Sequence, residues 1–332
     1  MKKLLSFLFV LIVSIGLLVG CGSGDSGDND ASNKAKDEET NTEQTEETGQ
    51  GDFPVTLTDA IDKEITLEEK PERIVSLIPS NTEIAFALGL DEEVVGVSDH
   101  DNYPEAVQEK EKIGGMELNI EKIIGLKPDL VLAHASSAHN AEAGLQQLRD
   151  AGISVFVVAD AQNVDQTYES IQQIGEITGT TEKAEGIVGN MKDEFAKLEE
   201  KAKTISEEDR KSVFFEVSPA PEIFTAGKNT FFNNLLQIIH AENAAKEQDG
   251  WVQIDPESIV KLNPDVIVTT YGHYEENAEE SVLSRDGWDS VTAIKNEAVY
   301  DIHSDLISRP GPRLVEGAKE LAKVVYPDVF AE

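Results

Sequence analysis

The chain has 332 residues, with 28 Lys+Arg against 64 Asp+Glu, 39% hydrophobic residues, 6% aromatics and one cysteine. A single cysteine excludes a disulfide scaffold and a cysteine-rich zinc ribbon, and the composition excludes a polytopic membrane protein. A formal charge of −36 argues against nucleic-acid binding, because phosphate contacts need a net supply of Lys and Arg.

In chain order, Met1-Lys2-Lys3 and the apolar residues 4–19 read as the charged and apolar parts of an export signal, closed by Leu18-Val19-Gly20-Cys21. This segment resembles a bacterial lipoprotein signal. The resemblance implies removal of residues 1–20, lipid on the Cys21 thiol and an acyl group on its amine, leaving no thiol for other chemistry. An uncut transmembrane anchor is the alternative, for which the apolar stretch is short. Residues 22–52 hold ten acidic residues and two lysines and no large apolar residue, too little hydrophobic surface to offset ordering entropy. They are expected to form a disordered acidic tether reaching about 30 Å. Gly22-Ser23-Gly24-Asp25-Ser26-Gly27 fits the dinucleotide pattern, but without a strand before it or a helix after it the match carries no function. The remaining acidity falls on the body and is read as a solvated surface suited to salty or alkaline surroundings.

The 280 residues after the tether are long for one core and comfortable for two lobes. A repeat supports two. Asn119, Glu121, Ile123-Ile124, Leu126, Pro128-Asp129 and Leu130-Val131-Leu132 recur as Asp255, Glu257, Ile259-Val260, Leu262, Pro264-Asp265 and Val266-Ile267-Val268, at a constant offset of 136. Each copy predicts a short helix capped by Asn119 or Asp255, stopped by a proline and followed by a buried strand. Residues 74–77 and 213–217 read as first strands, each followed by a helix opening at Asn81-Thr82-Glu83 or Asn229-Thr230; residues 153–158 and 299–302 read as later strands. The fold class expected is α/β: two lobes with mainly parallel sheets, residues 53–160 and 210–332, joined by a long helical linker at 161–209, with a ligand cleft between them. The linker carries one helical pattern from 163 to 205 with Ala184, Ile187, Met191, Phe195 and Leu198 on its apolar face. A single helical connection predicts a comparatively rigid cleft.

A tethered, two-lobed body of this kind resembles the substrate-binding lipoproteins of ATP-binding-cassette importers, in the helix-linked class that serves cobalamin, ferric siderophores and haem. The motifs nearest the cobalamin (vitamin B12) branch are Arg73 through Glu83, Gly115-Met116 through Glu121, Trp251 six residues before Glu257, and Asp305 through Arg313. The resemblance implies ligand contacts at Pro79, Ser80, Asn81, His100 and Tyr103 from one lobe and Trp251, Asp305 and Arg309 from the other. It also implies that Glu121 and Glu257 dock a membrane permease dimer, which works with a cytoplasmic ATPase. The protein is then a monomer on the outer face of the cell membrane, held by its lipid alone. It catalyses nothing and needs no cofactor, its bound ligand being a corrinoid. Two positions depart from the branch: Ile113-Gly114-Gly115-Met116 has no tryptophan, and Val217 stands where an aromatic is usual, with Phe224 close by.

Other readings stay open. A Trp251 in the core, and glutamates placed in a first turn only to suit the helix dipole, are the structural alternatives. His100, His134, His139, His273 and His303 suggest a metal-ion receptor, although none has the i, i+4 spacing of a helical metal pair. A ferric siderophore or haem is the alternative cargo within the same class, with Tyr271, His273, Tyr274 and Met116 as candidate axial ligands for haem. A lipid-anchored hydrolase would need a site outside the short motifs, since the chain has no G-x-S-x-G, H-E-x-x-H or P-loop.

Overall fold

The structure, a computed structural model, describes residues 53–330. The export signal, Cys21 and the tether at 22–52 lie outside the described residues.

The first lobe opens on a hairpin of β1 (Val55–Thr58) and β2 (Glu64–Leu67). Its turn is closed by Asp59, whose Oδ1 accepts from the Ile61 and Lys63 amides. Then follow β3 (Ile74–Ser76), α1 (Pro79–Ala87), β4 (Val94–Val97), β5 (Glu111–Lys112), α2 (Ile120–Leu126), β6 (Leu130–His134), α3 (Ala135–Asp150) and β7 (Ser154–Val158). The main sheet is parallel throughout, in the order β5-β4-β3-β6-β7.

The linker is two helices, α4 (Val164–Ile177) and α5 (Thr181–Ala202), where the sequence pattern predicts one. Gly179 breaks it. Its φ of +68° suits a residue without Cβ. The Gly179 amide donates to Glu176 and the Thr180 amide to Gly175, the paired bonds that end a helix on a left-handed residue. The chain reverses, and Gly175 lets α5 approach so closely that a Cβ there would sit 2.4 Å from that of Ala184. Helix α4 packs on α1, β1 and β7 of the first lobe. Helix α5, about 33 Å long, carries Ala184, Val188, Met191, Phe195, Leu198 and Ala202 as a buried stripe.

The second lobe contains β8 (Ser212–Glu216), β9 (Phe224–Ala226), α6 (Phe231–Ile238), β10 (Glu242–Asn243), β11 (Trp251–Gln253), α7 (Pro256–Leu262), β12 (Val266–Thr269), α8 (Ala278–Leu283), α9 (Thr292–Lys295), β13 (Val299–Asp301), α10 (Ser304–Ser308), α11 (Leu314–Val325) and α12 (Pro327–Phe330). Its main sheet is again parallel, β10-β8-β12-β13. A short antiparallel ribbon of β9 and β11, which the sequence pattern did not predict, stands beside it.

The repeat is structural to the level of single hydrogen bonds. Asn119 caps α2 by accepting from the Lys122 amide, and Asp255 caps α7 by accepting from the Ser258 amide. Each helix stops on a left-handed residue, Lys127 or Asn263, set before the proline because a residue preceding proline is disfavoured in the helical region. The aspartate after each proline then ties the next strand to the first. Asp129 accepts from the Arg73 amide at 2.9 Å and donates its own amide to the Arg73 carbonyl at 2.8 Å. Asp265 does the same with Ser212 at 2.9 and 2.8 Å.

The expectation of two separate cores needs correcting. Each lobe has an outer core of its own, one around Val75, Ile123 and Leu145 and one around Phe214, Ile259 and Trp288. The inner faces of both sheets share a third, continuous core, which runs from Ile74 and Phe156 through α4, α5 and α6 to Phe215, Val268 and Leu321. The cause is the amphipathic linker and its neighbours, whose apolar stripes have no solvent face to spare. Wide opening of the lobes would expose that core, so rigidity comes from packing as much as from the single connection.

His134 ends β6 and caps α3, its Nδ1 accepting from the Ser136 amide at 3.3 Å. Burial holds its pKa below the ordinary 6.5, with Asp160 pulling the other way. Unfolding then takes up a proton, so the stability from neutral His134 is intact above about pH 6.5 and drains as the pH falls through the folded pKa. His134→Asn keeps a cap acceptor that does not titrate. Urea unfolding should show the variant losing part of the decline that sets in below about pH 6.5, and matching the parent within about 1 kcal/mol at alkaline pH.

Candidate functional site

Parallel strands deliver their following loops to one edge, and in open α/β sheets that carboxyl edge is where ligands bind. On the first lobe the edge carries residues 77–81 after β3, 98–104 after β4 and the start of α3 after β6. Pro79 opens α1 two residues earlier than the sequence pattern predicts, the first-turn position proline favours. Ser80 and Asn81 therefore lie within the helix and are buried. Asn81 donates its side-chain amide to the Ala133 carbonyl at 2.9 Å, fastening α1 to β6. The Ser80 hydroxyl has no hydrogen-bond partner among the described residues. His100 and Tyr103 lie on the β4 loop, both exposed. Met116, 93% exposed, tips a small loop closed by the bridge between Gly114 and Leu118. A Cβ at Gly115 would meet the His100 imidazole at 2.9 Å, so glycine lets this loop lie on the histidine. Beneath it is a largely apolar hollow lined by Leu77, Pro79, His100, Met116, Leu118 and Ala141.

On the second lobe the β9–β11 ribbon carries the aromatics. Trp251 opposes Ala226 and Gln253 opposes Phe224, which places Trp251 and Phe224 on one face as diagonal neighbours. Both are exposed, Trp251 at 49%. The indole meets the Phe232 ring edge-on at 5.2 Å, which fixes its pose while leaving a face to solvent. Trp288, buried at 2%, is the core tryptophan. Beyond β12 and β13 stand His273, Tyr274 and His303. The two imidazole centroids are 4.9 Å apart, with Tyr274 edge-on to His273.

Tyr271 is not among them. Its ring is fully buried and its hydroxyl donates to Glu216 at 2.6 Å. Burial raises its pKa, with Glu216 adding to the rise, so it is neutral and turned away from any cargo. Glu216, also fully buried, takes both forks of Arg285 at 2.8 Å. Burial opposes the Arg285 charge, yet its pKa is raised because the Glu216 bonds outweigh that cost. This network supports the β12 loop from below.

Asp305 and Arg309 come together with partners that the sequence pattern did not identify. Arg309 donates to Glu83 at 2.9 Å and to Asn102 at 2.7 Å, and pairs with Asp305 at 2.8 Å. Asn102 donates to Asp305 at 2.8 Å. Arg313 donates to both Glu83 oxygens at 2.8 and 2.6 Å, and its guanidinium lies 3.8 Å from the Tyr103 ring centroid. The polar atoms assigned to ligand arms on Asp305 and Arg309 are thus engaged across the lobes.

Glu121 and Glu257 occupy matching exposed positions in the first turns of α2 and α7. Crossover helices run antiparallel to the strands, which sets both first turns toward the carboxyl edges. The remaining histidine of the metal reading, His139, is exposed on α3. No group of three or more His, Cys, Asp or Glu converges in a metal-holding arrangement among the described residues. No helix among them is long and apolar enough to cross a membrane.

Known proteins resemble this chain in sequence and, where solved, in structure. A Bacillus subtilis (strain 168) protein described as an uncharacterized ABC transporter substrate-binding lipoprotein is 48% identical over the whole of both chains. A cobalamin-binding protein of Halobacterium salinarum is 32% identical over 282 residues, 82% of this chain and 74% of its own. The solved structure of a possible iron-binding (periplasmic solute-binding) protein from Staphylococcus epidermidis is 40% identical, with a TM-score of 0.70 over 78% of this chain and all of the other. The sequence profile of the periplasmic binding protein family matches residues 74–306. The chain belongs to that family, whose members bind solutes and are not enzymes.

Proposed function

We propose that the protein is the cargo-capturing component of an ABC importer and that its cargo is a corrinoid, cobalamin or a close relative. The observation that carries this reading is the pair of unlike walls at the carboxyl edges. A pinned indole and Phe224 stand on one lobe, and an apolar hollow beneath Met116 with His100 in its wall stands on the other. A corrin is a broad, flattened ring with amide arms, which asks for aromatic or apolar cover and a few polar contacts at the rim. The 32% identity to a cobalamin-binding protein supports the same cargo. Trp251 covers the ring and Pro79 lines the opposite wall. His100 and Tyr103 meet the polar arms, whereas Ser80, expected to do so, is buried with Asn81 and belongs to the wall behind them, and Asp305 and Arg309 border the cleft within their own network.

Cys21 carries the lipid and tethers the body at the outer face of the membrane. Glu121 and Glu257 meet basic groups of the permease dimer, because paired charges on a docking surface set orientation and raise the encounter rate.

An iron complex is the second reading, a ferric siderophore or haem. It is favoured by the 40% identity to the possible iron-binding protein and by Met116, His273, Tyr274 and His303, all exposed.

Tryptophan quenching during titration with cyanocobalamin, a ferric siderophore and haemin separates the readings. Cyanocobalamin should bind most tightly, and Trp251→Ala should cost about 1–3 kcal/mol of its binding. Tightest binding of haemin with a shifted Soret band would replace corrinoid by haem, and tightest binding of the siderophore would replace it likewise. Alanine at both Glu121 and Glu257 should abolish uptake by cells while leaving cargo affinity unchanged; a loss of affinity would remove the docking role.

A further inference from the structure

Glu83 lies on α1 of the first lobe and is 4% exposed. It faces a strap of the second lobe, Arg309-Pro310-Gly311-Pro312-Arg313, that joins α10 to α11. Both ends of the strap grip the one carboxylate. Oε1 accepts from Arg309 and Arg313, and Oε2 accepts from the Nε of Arg313. Between these ends Gly311 rests against α1, where a Cβ would make ordinary contact with Ile84 at 3.9 Å and with the Ser80 carbonyl at 4.0 Å. Two prolines stiffen the strap by fixing φ, so the arginines are presented together and not by chance of rotamer. The charges balance, Glu83 and Asp305 against Arg309 and Arg313. The Glu83 bonds are the first cause of the raised pKa of Arg313.

We propose that Glu83 is a positioning residue for the binding cleft: it clasps the proline-stiffened strap of the second lobe onto α1 of the first and fixes the spacing of the two rims. The network links residues more than 200 positions apart. A buried, fully paired charge of this kind adds little net stability, so the role proposed for it here is to hold one geometry. It also seats two residues of the rim: Arg313 lies on the Tyr103 ring, and Asn102 is tied to Asp305 and Arg309. The clasp thus links the β4 loop to the residues after β13. The inference rests on the two-lobed binding reading and is independent of which cargo is carried.

The test reads rim spacing directly. In the full chain carrying Cys21→Ser, spin labels at Glu121→Cys and Glu257→Cys report the distance between lobes by pulsed electron resonance without ligand. The parent should give one narrow distribution. Glu83→Gln and, separately, Arg313→Met should broaden or shift it at unchanged far-ultraviolet circular dichroism, with Arg313→Lys intermediate because it keeps charge but not the fork. In stopped flow, cyanocobalamin should leave both clasp variants faster by on the order of tenfold or more. An unchanged distance distribution in the folded variants overturns the proposal; should Glu83→Gln not fold, the two Arg313 variants decide it. Failure of the parent to bind cyanocobalamin strikes the cargo reading alone, since the distances are measured without it.

Discussion

An aspartate after a proline, bonded to the backbone at the start of the neighbouring strand, sets the frame on which each lobe is built. Asp129 on Arg73 and Asp265 on Ser212 fix which two parallel strands lie side by side and at what level. Because the strands are parallel, all of their outgoing loops then reach the same edge. Polar, aromatic and glycine-rich segments collect there while the strands themselves stay apolar. Repeating the block 136 residues later gives a second edge of the same kind, and a binding cleft follows from the two.

Two ion-pair networks do different work around that cleft. Glu216, Arg285 and Tyr271 lie within one lobe and stiffen the floor under His273 and Tyr274. Glu83, Arg309 and Arg313 join the lobes and leave few polar atoms for cargo. The walls that remain free are apolar and aromatic, which suits a large ring whose own amides carry the polarity. The excess of acid lies elsewhere, on solvated helix faces such as that of α5, where Lys197 pairs with Glu194 and, just past the helix end, Lys203 pairs with Glu200.

Much of this frame was legible in the chain because it depends on local rules. Caps, proline stops and runs of buried apolar residues are written within a dozen positions, and the duplicated block doubled the signal. The break in the linker was also written, as Thr178-Gly179-Thr180, but helical periodicity on both sides hid it. The β9–β11 ribbon was not legible, because three-residue strands 25 positions apart carry no period of their own. Nor was the shared inner core, since an apolar stripe does not state which sheet it covers. Asp305 and Arg309 were placed at the cleft from resemblance. Their pairing with Glu83 was not legible, because a glutamate in a helix reads as a surface residue until a strap from 226 positions away closes on it.

The proposed cargo is held between the carboxyl edges of both sheets. Amide hydrogen exchange of the full chain, with and without saturating cargo, tests it most directly. Slowed exchange is expected in residues 98–104 and 114–118 of the first lobe together with 250–253 and 271–274 of the second, with no change on the solvent face of α5. Protection confined to one lobe, or centred between α5 and α11, would contradict it.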